Sequence, residues 1–252
     1  MINVLVLLAG SSVPFREAGY SYPKSLIEIA GLPAVERVLA AYRPLEALGA
    51  RFIFVVRGEE NRRFHIGMVL RLLMPDAVVV ETPGETAGAA CTALLAVGAI
   101  NDDTPLIIAN GDQIIDHDLK GAVADFQGRG LDGGILVFKA VHPRWSYVKC
   151  DDDGLLIEAA EKRPISDLAT AGFYWFARGR DFVRAAERMI LKDAHVDNAF
   201  FICPAYNEMI LEQKRVGVHH MARDGYHSLA TPALLQRYEE QVLNSRCGEA
   251  QV

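Results

Sequence analysis

The stretch INVLVLLAGSSVPFREAGYSYPKSLIEIAG, residues 2–31, decides how the rest of the chain is interpreted. Its apolar run, residues 2–8, has the length of a fully buried strand. The run ends in Ala-Gly-Ser-Ser at residues 9–12, where small side chains let a ligand approach backbone N–H groups. The polar loop that follows carries Arg16 and Lys24, and a proline fixes the backbone just before the lysine. A buried strand, a small-residue turn and a fixed cation predict a phosphate-binding loop.

An ordinary surface turn with solvated charges is the alternative interpretation of this stretch. The dinucleotide-binding pattern G-x-G-x-x-G is absent, and so is the G-x-x-x-x-G-K-[ST] pattern, because Lys24-Ser25 follows a proline. Taken alone, the stretch leaves both interpretations open.

Composition limits the class of protein. The chain has 252 residues, 51% of them hydrophobic, which suits one large or two small domains. We predict one domain over 1–243, with a nucleotide-binding half (1–130), an acceptor-binding half (131–243) and a disordered tail (244–252). The formal net charge of −6 argues against a nucleic-acid partner.

The remaining sequence features point to a cytoplasmic protein. No apolar run reaches the ~18 residues of a membrane span, so no membrane partner is expected. The four cysteines are far apart and lack the spacing of a metal site, which predicts reduced thiols. They are Cys91, Cys150, Cys203 and Cys247.

Short apolar runs alternate with amphipathic segments in the first half of the chain, which predicts a parallel α/β sheet with right-handed crossovers. The predicted strands after the first are 51–56, 77–80 and 105–109, and the predicted helices are 33–48, 60–73, 84–99 and 119–127. From residue 133 onward, strands follow one another and predict a mixed or antiparallel extension of the sheet. That half contains predicted strands 134–138, 146–150, 155–158, 171–176 and 216–220, and predicted helices 181–191, 198–213 and 232–243.

Ligands of such sheets bind beyond the carboxyl ends of the strands, which directs attention to the loops there. Asp112 follows a buried strand and suits Mg²⁺, which usually takes one or two carboxylates plus substrate phosphates; the alternative is a turn aspartate beside Gly111. The loop 81–90 leads into a helix N-terminus, which favours an anion or the polar edge of a base. The alternative there is a normal helix start capped by Thr86. Lys162 could hold a second phosphate or form a surface ion pair.

The ordered motifs resemble those of the sugar-phosphate nucleotidyltransferases. Leu8-Ala9-Gly10 through Phe15, then Gly19-Tyr20, then Pro23-Lys24 is similar to the family pattern L-A-G-x-G-x-R-F, a spacer, and P-K. The resemblance covers nearly the whole chain in the right order. It continues through Gly31-x-Pro33, Thr86-Ala87-Gly88, Asn110-Gly111-Asp112, Glu161-Lys162, Ala171-Gly172-Phe173-Tyr174 and Ala230-Thr231-Pro232.

This resemblance implies a fold and a reaction. The fold is a Rossmann-like, three-layer α/β/α nucleotide-diphospho-sugar transferase (GT-A-like) fold with a mixed central sheet. The reaction joins an NTP to a phosphorylated small-molecule acceptor, with Mg²⁺ as cofactor, and releases pyrophosphate without a covalent enzyme intermediate. The acceptor is a sugar 1-phosphate or another phosphomonoester, used for surface-glycan or lipid-conjugate synthesis. CTP, UTP, dTTP and GTP all stay open, and so does assembly as a homo-oligomer.

Residue roles follow from the resemblance by position. It implies that Lys24 neutralises charge at the α-phosphate and that Asp112 holds Mg²⁺, with Arg16 as a further catalytic cation. The nucleotide-binding residues implied are Leu8, Ala9, Gly10, Ser11, Ser12, Glu81, Thr86, Gly88 and Gly111. The acceptor-binding residues are Glu161, Lys162, Gly172 and Asn207.

Three departures from the family pattern keep other functions open. Ser12 replaces a loop glycine, Pro14 replaces the loop arginine, and Ser228 stands where the family often has a metal-binding aspartate. Arg16 could supply the missing charge, and Asn207 or Asp224 could supply a second metal ligand. One alternative is a GT-A-type glycosyltransferase, although its D-x-D motif is absent. The other is a nucleotide-binding regulatory protein that has lost catalysis.

Overall fold

A nine-stranded mixed sheet forms the centre of the computed structural model, which describes residues 1–249. The strands are β1 (Ile2–Leu7), β2 (Glu28–Ile29), β3 (Leu32–Pro33), β4 (Ala50–Arg57), β5 (Val78–Thr82), β6 (Leu106–Asn110), β7 (Gln113–Ile115), β8 (Gly133–Lys139), β9 (Ser146–Cys150), β10 (Leu156–Glu161), β11 (Leu168–Phe176), β12 (Val216–His220) and β13 (Tyr226–Ser228). The helices are α1 (Val13–Glu17), α2 (Ala34–Ala40), α3 (Gly58–Phe64), α4 (Ile66–Leu73), α5 (Ala89–Leu94), α6 (Val97–Ile100), α7 (Leu119–Gly128), α8 (Gly179–Leu191), α9 (Ala205–Leu211) and α10 (Pro232–Glu249).

The strand order confirms the predicted change from parallel to mixed pairing. The path is β10-β9-β11-β6-β1-β4-β5, with β8 beside β11 and β12 beside β8. β1 pairs in parallel with β4 and β6, and β4 with β5. In the second half, β11 pairs antiparallel with β6 and β8, and β9 with β10. The carboxyl ends of the first four central strands therefore meet at one edge.

Helices cover both faces of the sheet, because consecutive strand residues point to opposite sides. Val4 and Val6 face a core that contains Val38 of α2. Leu5, which lies between them, faces a second core that contains Phe182 of α8. Two apolar cores on either side of one sheet give the predicted three layers.

Several predicted helices are shorter than expected or broken. The helix predicted over 33–48 ends at Ala40 and is followed by a 3₁₀ helix, Arg43–Leu48, which contains a proline that cannot donate an N–H. The helix predicted over 60–73 splits at His65, which has a φ of 56°. Asn61 Oδ1 accepts from the Gly67 N–H at 2.6 Å across that break.

Three further helix boundaries differ from prediction. The segment 84–99 forms two short helices, α5 and α6, and helix α9 occupies only part of 198–213 because it starts after Pro204. Helix α10 runs on to Glu249, through six of the nine residues predicted to be a disordered tail. No proline stops the helix at residue 243, so its backbone hydrogen bonds continue. Residues 250–252 lie outside the described part of the chain.

Within residues 1–249, none of the helices combines the length and apolarity that crossing a membrane requires.

Three of the four cysteines are free thiols, namely Cys91, Cys150 and Cys203. Cys247 lies outside the part of the chain whose side chains are described.

Candidate active site

A cavity of about 690 Å³ opens beyond the carboxyl ends of β1, β4, β5 and β6, where the parallel-sheet rule places ligands. Nine predicted site residues line it, and they come from both halves of the chain. They are Ala9, Gly10, Ser11, Lys24, Thr86, Gly88, Asp112, Glu161 and Gly172.

Lys24 and Asp112 meet on the wall of this cavity. Lys24 begins a short 3₁₀ helix after a proline, and Asp112 lies in the tight connection between β6 and β7. The Lys24 ammonium donates to Asp112 Oδ2 at 2.6 Å, and their side chains are 11% and 29% exposed. The ammonium also lies so close over the loop that a Cβ atom on Gly10 would be 2.5 Å from Nζ. The absence of a side chain at Gly10 therefore lets the lysine take this position.

Three of the predicted nucleotide-binding residues pack beneath the cavity wall and hold Lys24 and the loops beside it in place. Ser12 is buried, and its Oγ accepts from the Lys24 N–H at 3.2 Å, so the serine that replaces the family glycine positions the lysine. Leu8 is buried beneath Gly111, where a Cβ atom would be 2.4 Å from Leu8 Cδ2. Neither Leu8 nor Gly111 lines the cavity.

The loop before α5 forms another wall. Gly88 has a φ of 110°, and a Cβ atom there would meet the Phe200 backbone oxygen at 2.4 Å. Thr86 Oγ1 donates to the Gly88 carbonyl at 3.1 Å and lies 2.6 Å from Thr92 Oγ1. Glu81, which was predicted to bind the nucleotide, does not line the cavity. Its carboxylate instead accepts from Asn61 Nδ2 at 2.7 Å.

Three other predicted residues also lie outside the cavity lining. Arg16 is exposed on α1. Lys162 donates to Asp197 Oδ2 at 2.8 Å and does not reach the cavity. The side-chain amide of Asn207 is used by the backbone of Ala159, from which Oδ1 accepts and to which Nδ2 donates, both at 2.8 Å. The predicted ligand role of Asn207 is therefore replaced by a structural one.

Glu161 and Gly172 shape the acceptor half of the cavity. Glu161 is 9% exposed and accepts a hydrogen bond from Ser146 Oγ, and burial raises the pKa of its carboxyl group. Gly172 has a φ of 64°, and a Cβ atom on it would lie 2.4 Å from Asn110 Nδ2. Gly172 lies where the pairing register of β11 with β8 shifts, and buried Gln113 fixes this irregularity by donating to the Gly172 carbonyl at 3.0 Å.

Charged and aromatic residues that the sequence analysis did not assign also line the cavity. Arg57 ends β4, donates from Nε to the Ala9 carbonyl at 3.0 Å and pairs with Glu85 at 3.0 Å. Its place at the carboxyl end of a parallel strand was a signal that could have identified it. Trp145 and Tyr226 lie edge to face with ring centroids 5.2 Å apart, and no local motif marked either residue.

The C-terminal segment is attached to the Asp112 loop. β13 pairs antiparallel with β7, and the Leu229 N–H donates to the Asp112 carbonyl at 2.7 Å. This places Ser228 in the cavity wall, at the position where the family often has an aspartate.

The donors present fit a Mg²⁺ ion that is held jointly with a substrate. Among the side chains that the structure describes, which extend to residue 245, no group of three or more His, Cys, Asp or Glu is arranged to hold a metal ion. Asp112 supplies one carboxylate in the cavity, and Mg²⁺ usually takes one or two carboxylates plus substrate phosphates. The site therefore suits a metal that arrives with phosphate oxygens.

Comparisons with known proteins agree with this geometry. Residues 36–220 match the family described as Nucleotidyl transferase. The chain is 35% identical over 181 residues to the bifunctional protein GlmU of Leifsonia xyli subsp. xyli, a match that covers 68% of this chain and 34% of that protein. The chain thus spans about a third of the length of this relative.

A solved structure shows the same fold. The nucleoside-diphosphate-sugar pyrophosphorylase from Vibrio cholerae RC9 superimposes with a TM-score of 0.81 at 24% identity, over 94% of this chain and 99% of that one. This likeness confirms the predicted fold class, and the family match confirms the resemblance found in the sequence motifs. The chain belongs to the nucleotidyl transferase family of enzymes.

Proposed function

We propose that the chain joins an NTP to a phosphorylated small metabolite, with Mg²⁺, to give an NDP-linked product and pyrophosphate. The observation that carries the proposal is the 2.6 Å contact between Lys24 and Asp112 in a cavity that also reaches Glu161 and Gly172. A cation and a carboxylate from two loops of the nucleotide half thus face the acceptor half. Family membership supports the coarse reaction.

The proposed step is an in-line displacement at phosphorus. An oxygen of the acceptor phosphate forms a bond to the α-phosphorus of the NTP, and the bond from that phosphorus to the bridging oxygen of the β-phosphate breaks. Pyrophosphate leaves with the electron pair of that bond. The attacking phosphate is already an anion at neutral pH, so the enzyme needs no general base. Positioning and charge stabilisation would supply most of the rate enhancement.

Lys24 and Asp112 would change partners when the nucleotide binds. In the structure they neutralise each other. The α-phosphate is a stronger competitor for the ammonium than one carboxylate because its hydrogen bonds are charge-assisted at several oxygens. Asp112 would hold Mg²⁺, which supplies charge neutralisation on phosphate oxygens when bound. Gly10 and Ser11 would offer backbone N–H groups to the phosphates.

The two ends of the cavity would select the two substrates. Thr86 and Gly88 would border the base and ribose, and Glu161 would accept a hydrogen bond from the acceptor. Because Glu161 is buried, an acceptor that donates a hydroxyl or amine group to its carboxylate would replace the hydrogen bonds that water cannot make there. Both sugar 1-phosphates and non-sugar phosphomonoesters fit this description.

Pyrophosphate release tests the proposal. CTP, UTP, dTTP, GTP and ATP are each combined with Mg²⁺ and a panel of sugar 1-phosphates and non-sugar phosphomonoesters. We expect one strong pair, and Asp112→Asn should lower its kcat by about 10²–10³-fold, the range for loss of one transition-state contact. Silence across the panel, with NTP still binding by calorimetry, would favour a regulatory protein instead.

A further inference from the structure

Arg57 lies on the side of the reaction centre that is remote from the acceptor wall. Across the sheet, the strands run in the order β11-β6-β1-β4-β5. Gly172 of the acceptor wall belongs to β11, Asp112 follows β6, and Arg57 ends β4. Neighbouring strands are about 4.8 Å apart, so the whole width of β1 separates Arg57 from the strand that precedes Asp112. Arg57 therefore belongs to the nucleotide end of the cavity.

Two loops fix the orientation of the Arg57 guanidinium. Its Nε donates to the Ala9 carbonyl at 3.0 Å, and its Nη2 donates to Glu85 Oε1 at 3.0 Å. The side chain is 22% exposed, and among the residues that the structure describes its Nη1 has no hydrogen-bond acceptor. Because the guanidinium is a rigid planar fork, holding two of its nitrogens also fixes the third. The Nη1 N–H groups are thus positioned for a ligand in the cavity.

The surroundings of Arg57 suit a neutral ligand group better than a phosphate. The Ala9 carbonyl oxygen and the Glu85 carboxylate each lie 3.0 Å from a guanidinium nitrogen, so a phosphate bound here would be repelled by both. The formal charges of Arg57 and Glu85 also cancel. At the reaction centre the proposed Mg²⁺ adds positive charge beside Asp112, whereas the proposed function places no cation beside Glu85. A neutral hydrogen-bond acceptor is therefore the better match for Arg57.

The cavity wall at this end is built from small and apolar residues. Leu7 ends β1, Ala9 lies two residues further on, and Ala89 begins α5. All three line the cavity and pack against the same core. Gly84 and Gly88 extend this wall without side chains. An apolar wall with a few fixed polar groups at its edge is typical of a site that binds and orients a flat organic ring.

We propose that Arg57 donates a hydrogen bond to the nucleobase of the NTP and thereby determines which base is bound, with Glu85 holding the guanidinium in orientation. This inference rests on the function proposed above. A guanidinium can donate but cannot accept, so it favours a base that presents carbonyl oxygen to it. Cytosine, uracil, thymine and guanine carry such an oxygen and adenine does not, so ATP should be the weakest ligand among the NTPs.

Calorimetric titration in the presence of Mg²⁺ and without an acceptor tests the assignment. The ligands are CTP, UTP, dTTP, GTP, ATP and inorganic tripolyphosphate, which carries the three phosphates without a base. Wild type is compared with Arg57→Gln and Arg57→Lys. Arg62→Gln is the matched control, because the Arg62 side chain is 72% exposed, pairs with Glu81 and does not line the cavity. Thermal melts verify that each variant is folded.

Wild type should bind its best NTP at least about tenfold more tightly than ATP, the ratio expected from one hydrogen bond to a charged group. Arg57→Gln should weaken the best NTP by about tenfold and bring the five NTPs to within about threefold of one another. Its affinity for tripolyphosphate should stay within about twofold of wild type. Arg57→Lys should fall between the two, because an ammonium lacks the planar fork, and Arg62→Gln should bind like wild type.

Three results would overturn the assignment. Equal losses of NTP and tripolyphosphate affinity in Arg57→Gln would show that Arg57 acts on the phosphates or on the loop around Ala9. An unchanged ranking and spread of NTP affinities in Arg57→Gln would show that Arg57 does not contact the base. ATP as the tightest ligand of wild type would contradict the preference for a carbonyl oxygen.

The titration and the pyrophosphate panel fail independently of each other. Binding without an acceptor needs no turnover, so a silent panel would reject the proposed reaction while the titration would still decide whether Arg57 selects the base. Conversely, pyrophosphate release by Arg57→Gln with no change in NTP preference would support the reaction and reject the role of Arg57.

Discussion

Gly10→Ala is a substitution that should separate activity from stability. The new Cβ atom would lie 2.5 Å from Lys24 Nζ and 3.3 Å from Cε, whereas ordinary contact begins at 3.4 Å. The ammonium must therefore move by about 0.9 Å. It can do so cheaply because it is the far end of a flexible side chain. The bond from Lys24 to Asp112, 2.6 Å long in the structure, would be lost or stretched.

A displacement of about 1 Å at a catalytic group can lower the rate by about 10²-fold. We therefore expect kcat/KM for pyrophosphate release to fall by about 10²-fold. The free energy of unfolding should change by no more than about 1 kcal/mol, the net contribution of one hydrogen bond, because both charges are kept. Urea denaturation followed by circular dichroism measures the second quantity. Gly98→Ala is the control, because no atom lies within 4 Å of a Cβ atom there.

Two results would refute this reasoning. Activity within about twofold of wild type would show that the position of Lys24 over Gly10 does not matter for the reaction. A loss of several kcal/mol of stability would show that the backbone, and not the lysine, absorbs the overlap.

Three further predictions concern stability. Asp181→Ala should lower the free energy of unfolding, measured in urea, by about 3 kcal/mol, because this carboxylate is 2% exposed and pairs with Arg178, Arg184 and Lys214. The control is Asp103→Ala, which removes an exposed ion pair with Arg180 and should cost less than about 0.5 kcal/mol. Gly172→Ala should lower the free energy of unfolding by about 2 kcal/mol because of the positive φ at this position, and a thermal melt should show Tm lower by about 4–8 °C. An unchanged Tm would contradict the tight packing against Asn110. Burial lowers the pKa of His117 below 6.5. Just below that pH the unfolded chain binds a proton that the folded chain does not, so the free energy of unfolding should fall as the pH drops below 6.5. His117→Gln should make the free energy of unfolding in urea less dependent on pH in this range, and an unchanged slope would exclude His117 as its source.

Sequence patterns predicted the parts of the site that depend on strand order. The buried run before Gly10 and the buried run before Asp112 form neighbouring parallel strands, β1 and β6. Their carboxyl ends must therefore lie side by side, which brings the loop after β1 next to the loop that carries Asp112.

The remaining site residues depend on contacts that no local pattern encodes. The direction of Lys162 is set by its positive φ and by Asp197, which is 35 positions away in the chain. Tyr226 reaches the cavity because β13 pairs with β7, and both strands are too short to show an alternating pattern. The early end of the helix predicted over 33–48 has a local cause, the proline at position 44, whereas the break at His65 comes from a positive φ that no sequence pattern marks.

The bond between Asn207 and Ala159 has a consequence for how the protein behaves in concentrated solution. Ala159 lies on β10, the last strand on one side of the sheet, whose outer N–H and C=O groups would otherwise invite another chain to pair. The Asn207 amide accepts from the N–H and donates to the C=O at 2.8 Å each, as a neighbouring strand would. One side chain from α9 thus occupies the two backbone groups of Ala159 that a pairing strand would use, which should weaken edge-to-edge association at this point of the sheet.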